Sequence, residues 1–296
     1  IVPAFTFFSA AEVIALLGLT PVWADVDQDT FTVTSATIEQ AFSSRTRAIV
    51  AVHLFGQCCD MAPILSFAAE HSLFVIEDNA QSMGAVYTFP EGFTRMAGTM
   101  GVIGTTSFFP SKPLACYGDG GAMFTRNQRI AAALSMIANH GQQTKYHHQR
   151  IGCNSRLDTI QAAVLEVKLA HLGEFTSARQ EVARRYDEAF QLCQQIKKPV
   201  RAAYSTHVYH QYTLQVANGK RDALQQFLKE RGVPSMVYYP LPLHQQEAFR
   251  SIARHGSSLE VSAHLCRSVL SLPIHTEMKE QEVQYIIQQV LAFFEF

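Results

Sequence analysis

Lys112 stands in the run Thr105-Thr106-Ser107-Phe108-Phe109-Pro110-Ser111-Lys112-Pro113-Leu114, which closes at Tyr117-Gly118-Asp119-Gly120-Gly121. Its neighbours are apolar and aromatic, and an ammonium group is costly to bury in such company. Desolvation lowers a lysine's pKa, and the neutral amine is then a nucleophile toward carbonyls, the basis of Schiff-base chemistry. Alone, Lys112 reads better as a surface lysine at a strand end. What changes the reading is Asp78, 34 residues upstream, which ends the apolar run Leu73-Phe74-Val75-Ile76-Glu77-Asp78.

A strand-terminal aspartate followed by a loop lysine is what pyridoxal phosphate requires. The lysine binds the aldehyde, and the carboxylate pairs with the pyridinium nitrogen so that the ring stays an electron sink. Ser107 can donate its hydroxyl to the phosphate. Singly, Asp78 is a helix N-cap and Ser107 a strand hydroxyl. Together with Lys112 they favour the cofactor.

These residues need elements to position them. Apolar runs at 21–27, 48–54, 73–78 and 122–125 alternate with helical spacing over 9–17, 61–71 and 128–139. That alternation predicts an α/β fold with a mostly parallel sheet and helices on both faces. Ligands bind such sheets at the carboxyl ends of the strands, so Asp78 and the Ser107–Lys112 segment should share one crevice. Helices over 159–172 and 177–193 connect to a mixed α+β remainder, with strands expected over 208–216 and 237–240 and helices over 220–231 and from 280. The predicted division is a large α/β domain over 1–172 and, over 173–296, a linker helix with a smaller α+β domain.

Composition excludes several classes. The 24 basic and 25 acidic residues nearly cancel, so no global field attracts nucleic acid or anionic lipid. No apolar run approaches membrane-spanning length. Six cysteines without CxxC spacing read as reduced thiols of a cytoplasmic protein, and the twelve histidines show no metal-binding spacing. Neither GxGxxG nor GxxxxGK[ST] occurs, which argues against a dinucleotide site or a P-loop. The start Ile1-Val2-Pro3 has no basic residue before Arg45, so it does not read as a signal peptide. It is expected to be a chain lacking an N-terminal portion.

As an ordered set, several segments resemble the DegT/StrS group of fold-type I, pyridoxal-phosphate-dependent sugar-nucleotide aminotransferases. They are Val2-Pro3-Ala4-Phe5-Thr6-Phe7, Asp25-Val26-Asp27, Val52-His53-Leu54-Phe55-Gly56-Gln57, Ile76-Glu77-Asp78-Asn79-Ala80-Gln81, the Lys112 segment with its glycine turn, Asn139-His140-Gly141, and Gly152 to Asp158 followed by Gln161-Ala162-Ala163. The resemblance implies that Lys112 carries the cofactor and serves as base of the proton shift. Asp78 is then the pyridinium partner, Gln81 the neighbour of the ring hydroxyl, Ser107 a phosphate ligand and Phe7 the aromatic stacked on the ring, although a core phenylalanine is the plainer reading. Asn154 matches a phosphate ligand supplied by a neighbouring subunit, which implies a homodimer with shared sites. Arg156 and Tyr239 fall at substrate contacts, and the Arg156 fork suits a carboxylate. The implied reaction moves an amino group from glutamate to a keto-sugar nucleotide. The closest subgroup acts on UDP-2-acetamido-3-keto-glucuronate in bacterial surface-polysaccharide and lipopolysaccharide synthesis. A neutral dTDP- or UDP-linked keto-6-deoxy sugar is the alternative substrate.

The chain departs from the pattern in places. The family's small-residue phosphate-binding turn, expected upstream of Pro3, is absent from the sequence. Residues 87–99 look irregular, Cys116 replaces a common glycine, and Tyr238 stands where a close subgroup often has histidine. Two rivals remain. A dehydratase of the same fold would have histidine in place of Lys112, and a regulatory relative would need a broken site.

Overall fold

The computed structural model describes residues 1–252, 254–255 and 258–294. In chain order, β1 (Val2–Pro3), α1 (Ser9–Leu16), β2 (Val22–Ala24), α2 (Ser35–Ala41), β3 (Ala48–Val52), α3 (Met61–Glu70) and β4 (Phe74–Asp78) come first. A hairpin of β5 (Val86–Thr88) and β6 (Thr94–Met96) leads to β7 (Ile103–Ser107), β8 (Gly121–Phe124) and α4 (Gln128–Ala138). A second hairpin, β9 (Gln142–Thr144) with β10 (His147–His148), precedes α5 (Thr159–Leu169) and α6 (Leu172–Ala189). The remainder holds β11 (Ile196–Lys197), β12 (Tyr212–Val216), α7 (Arg221–Glu230), β13 (Arg254–His255), α8 (Glu260–Ser268), β14 (Val269–Leu272) and α9 (Glu280–Phe294).

The central sheet is mostly parallel, as the alternation predicts. β3, β4 and β7 run parallel with Val52 opposite Asp78 and Asp78 opposite Thr105, while β8 returns antiparallel with Gly121 opposite Ser107. β1, β2 and β13 form a parallel group. Hydrogen bonds from the Ile1 amine to the Ala48 carbonyl (2.8 Å) and from Val50 N–H to the Ile1 carbonyl (2.9 Å) join that group to β3. This register brings the ends of β4 and β7 to one edge.

Coverage of the sheet is uneven. Ile49, Ala51 and Val75 point into a core with Met61, Ile64 and Ala68 of α3. The alternate residues Val50, Ile76 and Thr105 are half-buried and line an open cleft of about 720 Å³ against α1. A second core joins Val182 and Tyr186 of α6 to Leu214, Leu224, Leu270 and Ile286. Leu265 of α8 returns to the first core.

Two expectations change, and two helices appear that the periodicity does not predict. The 87–99 segment contains a regular antiparallel pairing, Val86 opposite Met96 and Thr88 opposite Thr94. Residues 237–240 form no strand, and only Met236 bridges to Ser271. α2 and α8 had no strong periodic signal, because each is short and closes on its neighbours through caps and side-chain bonds. Thr34 and Thr37 make a reciprocal capping box on α2. The Asp25 carboxylate receives the Val261 and Ser262 amides (2.9 and 2.8 Å) in the first turn of α8.

Beneath the site lies a buried hydrogen-bonded node. Glu77 and His53 are both fully buried, with His53 Nε2 2.8 Å from Glu77 Oε2. His53 Nδ1 accepts the Cys59 amide (3.1 Å), which places the ring proton on Nε2, toward Glu77. The Gly98, Met100 and Gly101 amides also donate to Glu77, at 2.8, 2.5 and 2.5 Å. Only glycine fits at position 104, because a Cβ there would lie 1.9 Å from the Gly98 carbonyl oxygen. Burial pushes the Glu77 carboxyl upward, but the His53 hydrogen bond and the loop amides outweigh it and hold it below the ordinary range.

Glu77→Ala would strand three amides and an imidazole, so it should cost about 3–5 kcal/mol of unfolding free energy. Urea titration checks this, and a loss under about 1 kcal/mol would contradict it. Because the native pKa is depressed, the contribution is present above the unfolded glutamate value of about 4.3. It is lost as pH falls through the lowered native value. The difference between parent and variant should therefore shrink in acid.

Candidate active site

Asp78 ends β4 because the chain turns there into neighbouring strand ends. Its carbonyl accepts the His53 amide (3.0 Å), and the next amide, Asn79, bonds to Thr105 O (2.8 Å). The side chain is half-buried and its Oδ1 accepts the Ala80 amide at 3.0 Å. Among the described residues no other group hydrogen-bonds that carboxylate. Burial raises the Asp78 carboxyl above its usual range, opposed by the Ala80 bond and then by the charge of Lys112. Burial lowers Lys112, and the Asp78 charge opposes that shift. The end of β4 and the turn after β7 thus carry opposite charges that act on each other in a partly desolvated setting.

The lysine segment is a braced turn. Lys112 N–H bonds back to Phe109 O (2.8 Å), and Phe108 N–H to Gly120 O (2.8 Å). The Tyr117 amide donates to Gln161 Oε1 (2.8 Å) and Lys168 Nζ to Ala115 O (2.9 Å), both from α5. Phe108, Leu114, Cys116 and Leu165 pack beneath it. Cys116, the departure from glycine, is accommodated as a fully buried thiol whose Sγ reaches Phe108 O (3.2 Å) and Gly118 O (3.1 Å).

Gln81 Oε1 accepts the Phe55 amide (2.7 Å), which turns its amide nitrogen toward Tyr239 Oη at 3.1 Å. The Tyr239 ring lies 6.0 Å from Phe5 and 6.3 Å from Phe7. Phe5 is core, whereas Phe7 is 57 % exposed, so the core-packing reading of Phe7 fails. Burial raises the Tyr239 hydroxyl, the Gln81 bond opposes this, and the Asp78 charge adds to the rise. Ser107 lines the same cleft as Asp78, and its Oγ accepts the Phe109 amide (3.3 Å).

Asp78 and Ser107 line one cleft. Lys112, Gln81, Tyr239 and Phe7 are linked to it, Lys112 and Tyr239 through the charge of Asp78 and the other two through Tyr239. Asn154 and Arg156 are not. They lie exposed on the loop before α5, bonded to each other through Arg156 Nε and Asn154 Oδ1 (3.0 Å). Among the described residues no hydrogen bond or ion pair joins them to the cluster. Ile151 and Ile160 beside them are 98 % and 78 % exposed. The crevice suits an aromatic aldehyde phosphate: a carboxylate with acceptor capacity left, an amine lowered by burial, a hydroxyl at a strand end and an exposed ring.

Sequence reasoning left out His53, Glu77, Arg179 and His210. His53 lies in a quoted segment, but nothing in sequence links it to Glu77, 24 positions away.

A mostly parallel α/β sheet with a carboxylate at the end of β4 and a desolvated lysine in the turn after β7 suits an enzyme built on a reactive amine. The chain belongs to the DegT/DnrJ/EryC1/StrS aminotransferase family, which matches residues 1–291. It is 42 % identical to a pleiotropic regulatory protein of Geobacillus stearothermophilus over 99 % of this chain and 78 % of the relative. It is also 42 % identical to the UDP-2-acetamido-2-deoxy-3-oxo-D-glucuronate aminotransferase of Pseudomonas aeruginosa, over 97 % of this chain and 77 % of that one. The crystal structure of a family aminotransferase from Brucella abortus superposes with a TM-score of 0.92 at 41 % identity, covering 99 % of this chain and 78 % of that one. The protein is a sugar-nucleotide transaminase of this family.

In the cofactor-free chain, Lys112 should react with an amine reagent at lower pH than the other lysines. Asp78→Asn should move its profile lower still, since the carboxylate is what supports the ammonium form. Mass-spectrometric mapping of the labelled peptides checks this, and a Lys112 profile matching the exposed lysines would contradict it.

Proposed function

We propose that the protein transfers an amino group from glutamate to a UDP-2-acetamido-3-keto-uronate, using pyridoxal 5'-phosphate held at Lys112. The observation that supports the cofactor assignment is a partly desolvated Lys112 amine on the turn after β7 whose charge acts on Asp78 at the end of β4. The uronate rests on the likeness to the Pseudomonas enzyme and on Arg156, whose planar fork matches a carboxylate. Relatives at 36 % identity named as transaminases of dTDP-linked deoxysugars favour the alternative, a neutral 6-deoxy sugar.

Bound at the crevice, the cofactor supplies an electron sink that acidifies the carbon next to the amine. Asp78 holds the proton on the ring nitrogen. Lys112 Nζ would hold the aldehyde and would supply the amine that moves the proton as base and acid. Gln81, its oxygen committed to Phe55, offers N–H at the ring hydroxyl, and Tyr239 steadies it. Ser107 donates to the phosphate and Phe7 covers the ring face. Asn154 and Arg156 serve the site of a second subunit in a homodimer, which accounts for their separation from the cluster in one chain. No helix among the described residues is long and apolar enough to cross a membrane. We place the reaction in the cytoplasm.

The protein loaded with the cofactor should absorb in the visible, and borohydride should fix the label on Lys112. Label on another lysine would overturn the assignment. Lys112→Ala should reduce turnover by about 10⁴-fold or more, because binding and proton transfer fail together. The regulatory alternative, suggested by the Geobacillus relative, predicts no turnover of any keto-sugar nucleotide despite bound cofactor.

Assaying keto-sugar nucleotides with glutamate separates the substrates. The uronate should be preferred, and equal turnover of neutral 6-deoxy sugars would remove that choice while leaving transamination. Mixing inactive Lys112→Ala and Asn154→Ala subunits should restore partial activity, since each hybrid holds one site free of both changes. No recovery would contradict the shared site.

A further inference from the structure

Phe31 and Phe55 both adopt the left-handed backbone region, with φ +64° and +59°. A bulky residue there is an outlier, because its Cβ crowds the following carbonyl oxygen. Such strain persists only where the surroundings impose it. Both residues are buried, and their rings meet edge to face with centroids 5.5 Å apart. Phe5 completes the cluster, 6.2 Å from each of the two rings and 6.0 Å from Tyr239.

The backbone on either side is held by hydrogen bonds. Asp27 Oδ1 accepts the Asp29 and Thr30 amides (2.9 and 2.8 Å), and the Phe31 amide returns to Asp27 O (2.9 Å). Phe55 lies in the tight turn Leu54–Gly56. Its carbonyl accepts the Gln211 amide (3.2 Å), and the Gly56 carbonyl accepts the Val208 amide (2.8 Å). Arg179 Nη1 of α6 fixes that same segment through the carbonyls of Tyr209 (3.2 Å), His210 (3.4 Å) and Ile274 (3.0 Å).

In this conformation the Phe55 N–H donates to Gln81 Oε1, 2.7 Å away. A carboxamide has one accepting end and one donating end, so that bond turns Gln81 Nε2 to Tyr239 Oη at 3.1 Å. A flipped carboxamide would set its NH₂ against the Phe55 N–H, two donors with no acceptor between them. Direction therefore runs from Phe55 to Gln81 to Tyr239. The Tyr239 oxygen is an acceptor in this chain, and its own proton donates to no group among the described residues.

We propose that Phe55 is a positioning residue for amino transfer. Its left-handed conformation, held by the Phe5 and Phe31 rings, fixes which end of the Gln81 carboxamide faces Tyr239. The Tyr239 O–H is thereby kept as a donor for an acceptor oxygen of a bound ligand. Its bearing on the reaction rests on Gln81 and Tyr239 bordering the cofactor held at Lys112.

Contrasting Phe55→Ala with Phe55→Gly in the full chain without cofactor tests this. Both changes delete the ring, but glycine accepts a positive φ and alanine resists it. A packing role alone makes glycine the worse of the two. Positioning predicts the reverse order for hydrogen exchange of the residue-55 amide, measured against the amides of β4. Protection should fall about tenfold in Phe55→Ala and less than about threefold in Phe55→Gly. With tyrosine ¹³C-labelled at Cζ, the Tyr239 resonance is assigned by its loss in Tyr239→Phe. It should shift in Phe55→Ala and stay near the Phe55→Gly position in the parent. Equal or greater loss in Phe55→Gly overturns the proposal.

Gln81→Met provides the measurement if the Phe55 variants do not fold. It leaves the Phe55 backbone untouched, and it should both unprotect the Phe55 amide and shift the Tyr239 resonance. No change in either one overturns the proposal. Borohydride label on a lysine other than Lys112 would instead sink the cofactor reading and leave these cofactor-free measurements as they are.

Discussion

An aspartate and a lysine of opposite charge, drawn from distant points of the chain and partly removed from water, are what the surrounding structure has to support. Neither is favourable alone: burial raises Asp78 and lowers Lys112, and each charge offsets part of the other's cost. Such a pair persists only where the backbone over-determines it. The parallel register of β3, β4 and β7 supplies one constraint, and the braced turn on α5 supplies the other. The Glu77–His53 node fastens the loop after β6 to β4, directly under Asp78.

The two faces of β4 divide the labour. Glu77 points into the interior, where four donors satisfy it, while Asp78 points to the cleft with one amide donor. Alternation of side chains along a strand makes this possible in consecutive residues. A fully satisfied carboxylate is structural, whereas one with acceptor capacity left over can serve a ligand. The same contrast separates Arg179, tied through Nη1 to three carbonyls, from Lys112.

Much of this was legible in the sequence. Apolar runs with an acid at the end marked β4, helical spacing marked α1, α3 and α4, and a lysine among aromatics marked the reactive group. Local signals carried these because strand and helix periods are short. Tyr239 was identified only by resemblance, since residues 237–240 show strand-like composition but adopt no strand. The Gln81–Tyr239 contact spans 158 positions, and no local pattern encodes it. His53 and Glu77 were invisible as a pair for the same reason. Exposure of Phe7 goes against the plainer reading because position in the fold, not residue type, decides burial.

The central claim is that Asp78 faces the ring nitrogen of a cofactor carried by Lys112. Its most direct measurement is the ¹⁵N chemical shift of ring-labelled pyridoxal phosphate bound to the protein. The parent protein should show a protonated ring nitrogen, and Asp78→Asn should return it to the shift of a neutral pyridine. A neutral nitrogen in the parent, or a protonated one unchanged by Asp78→Asn, would contradict the claim.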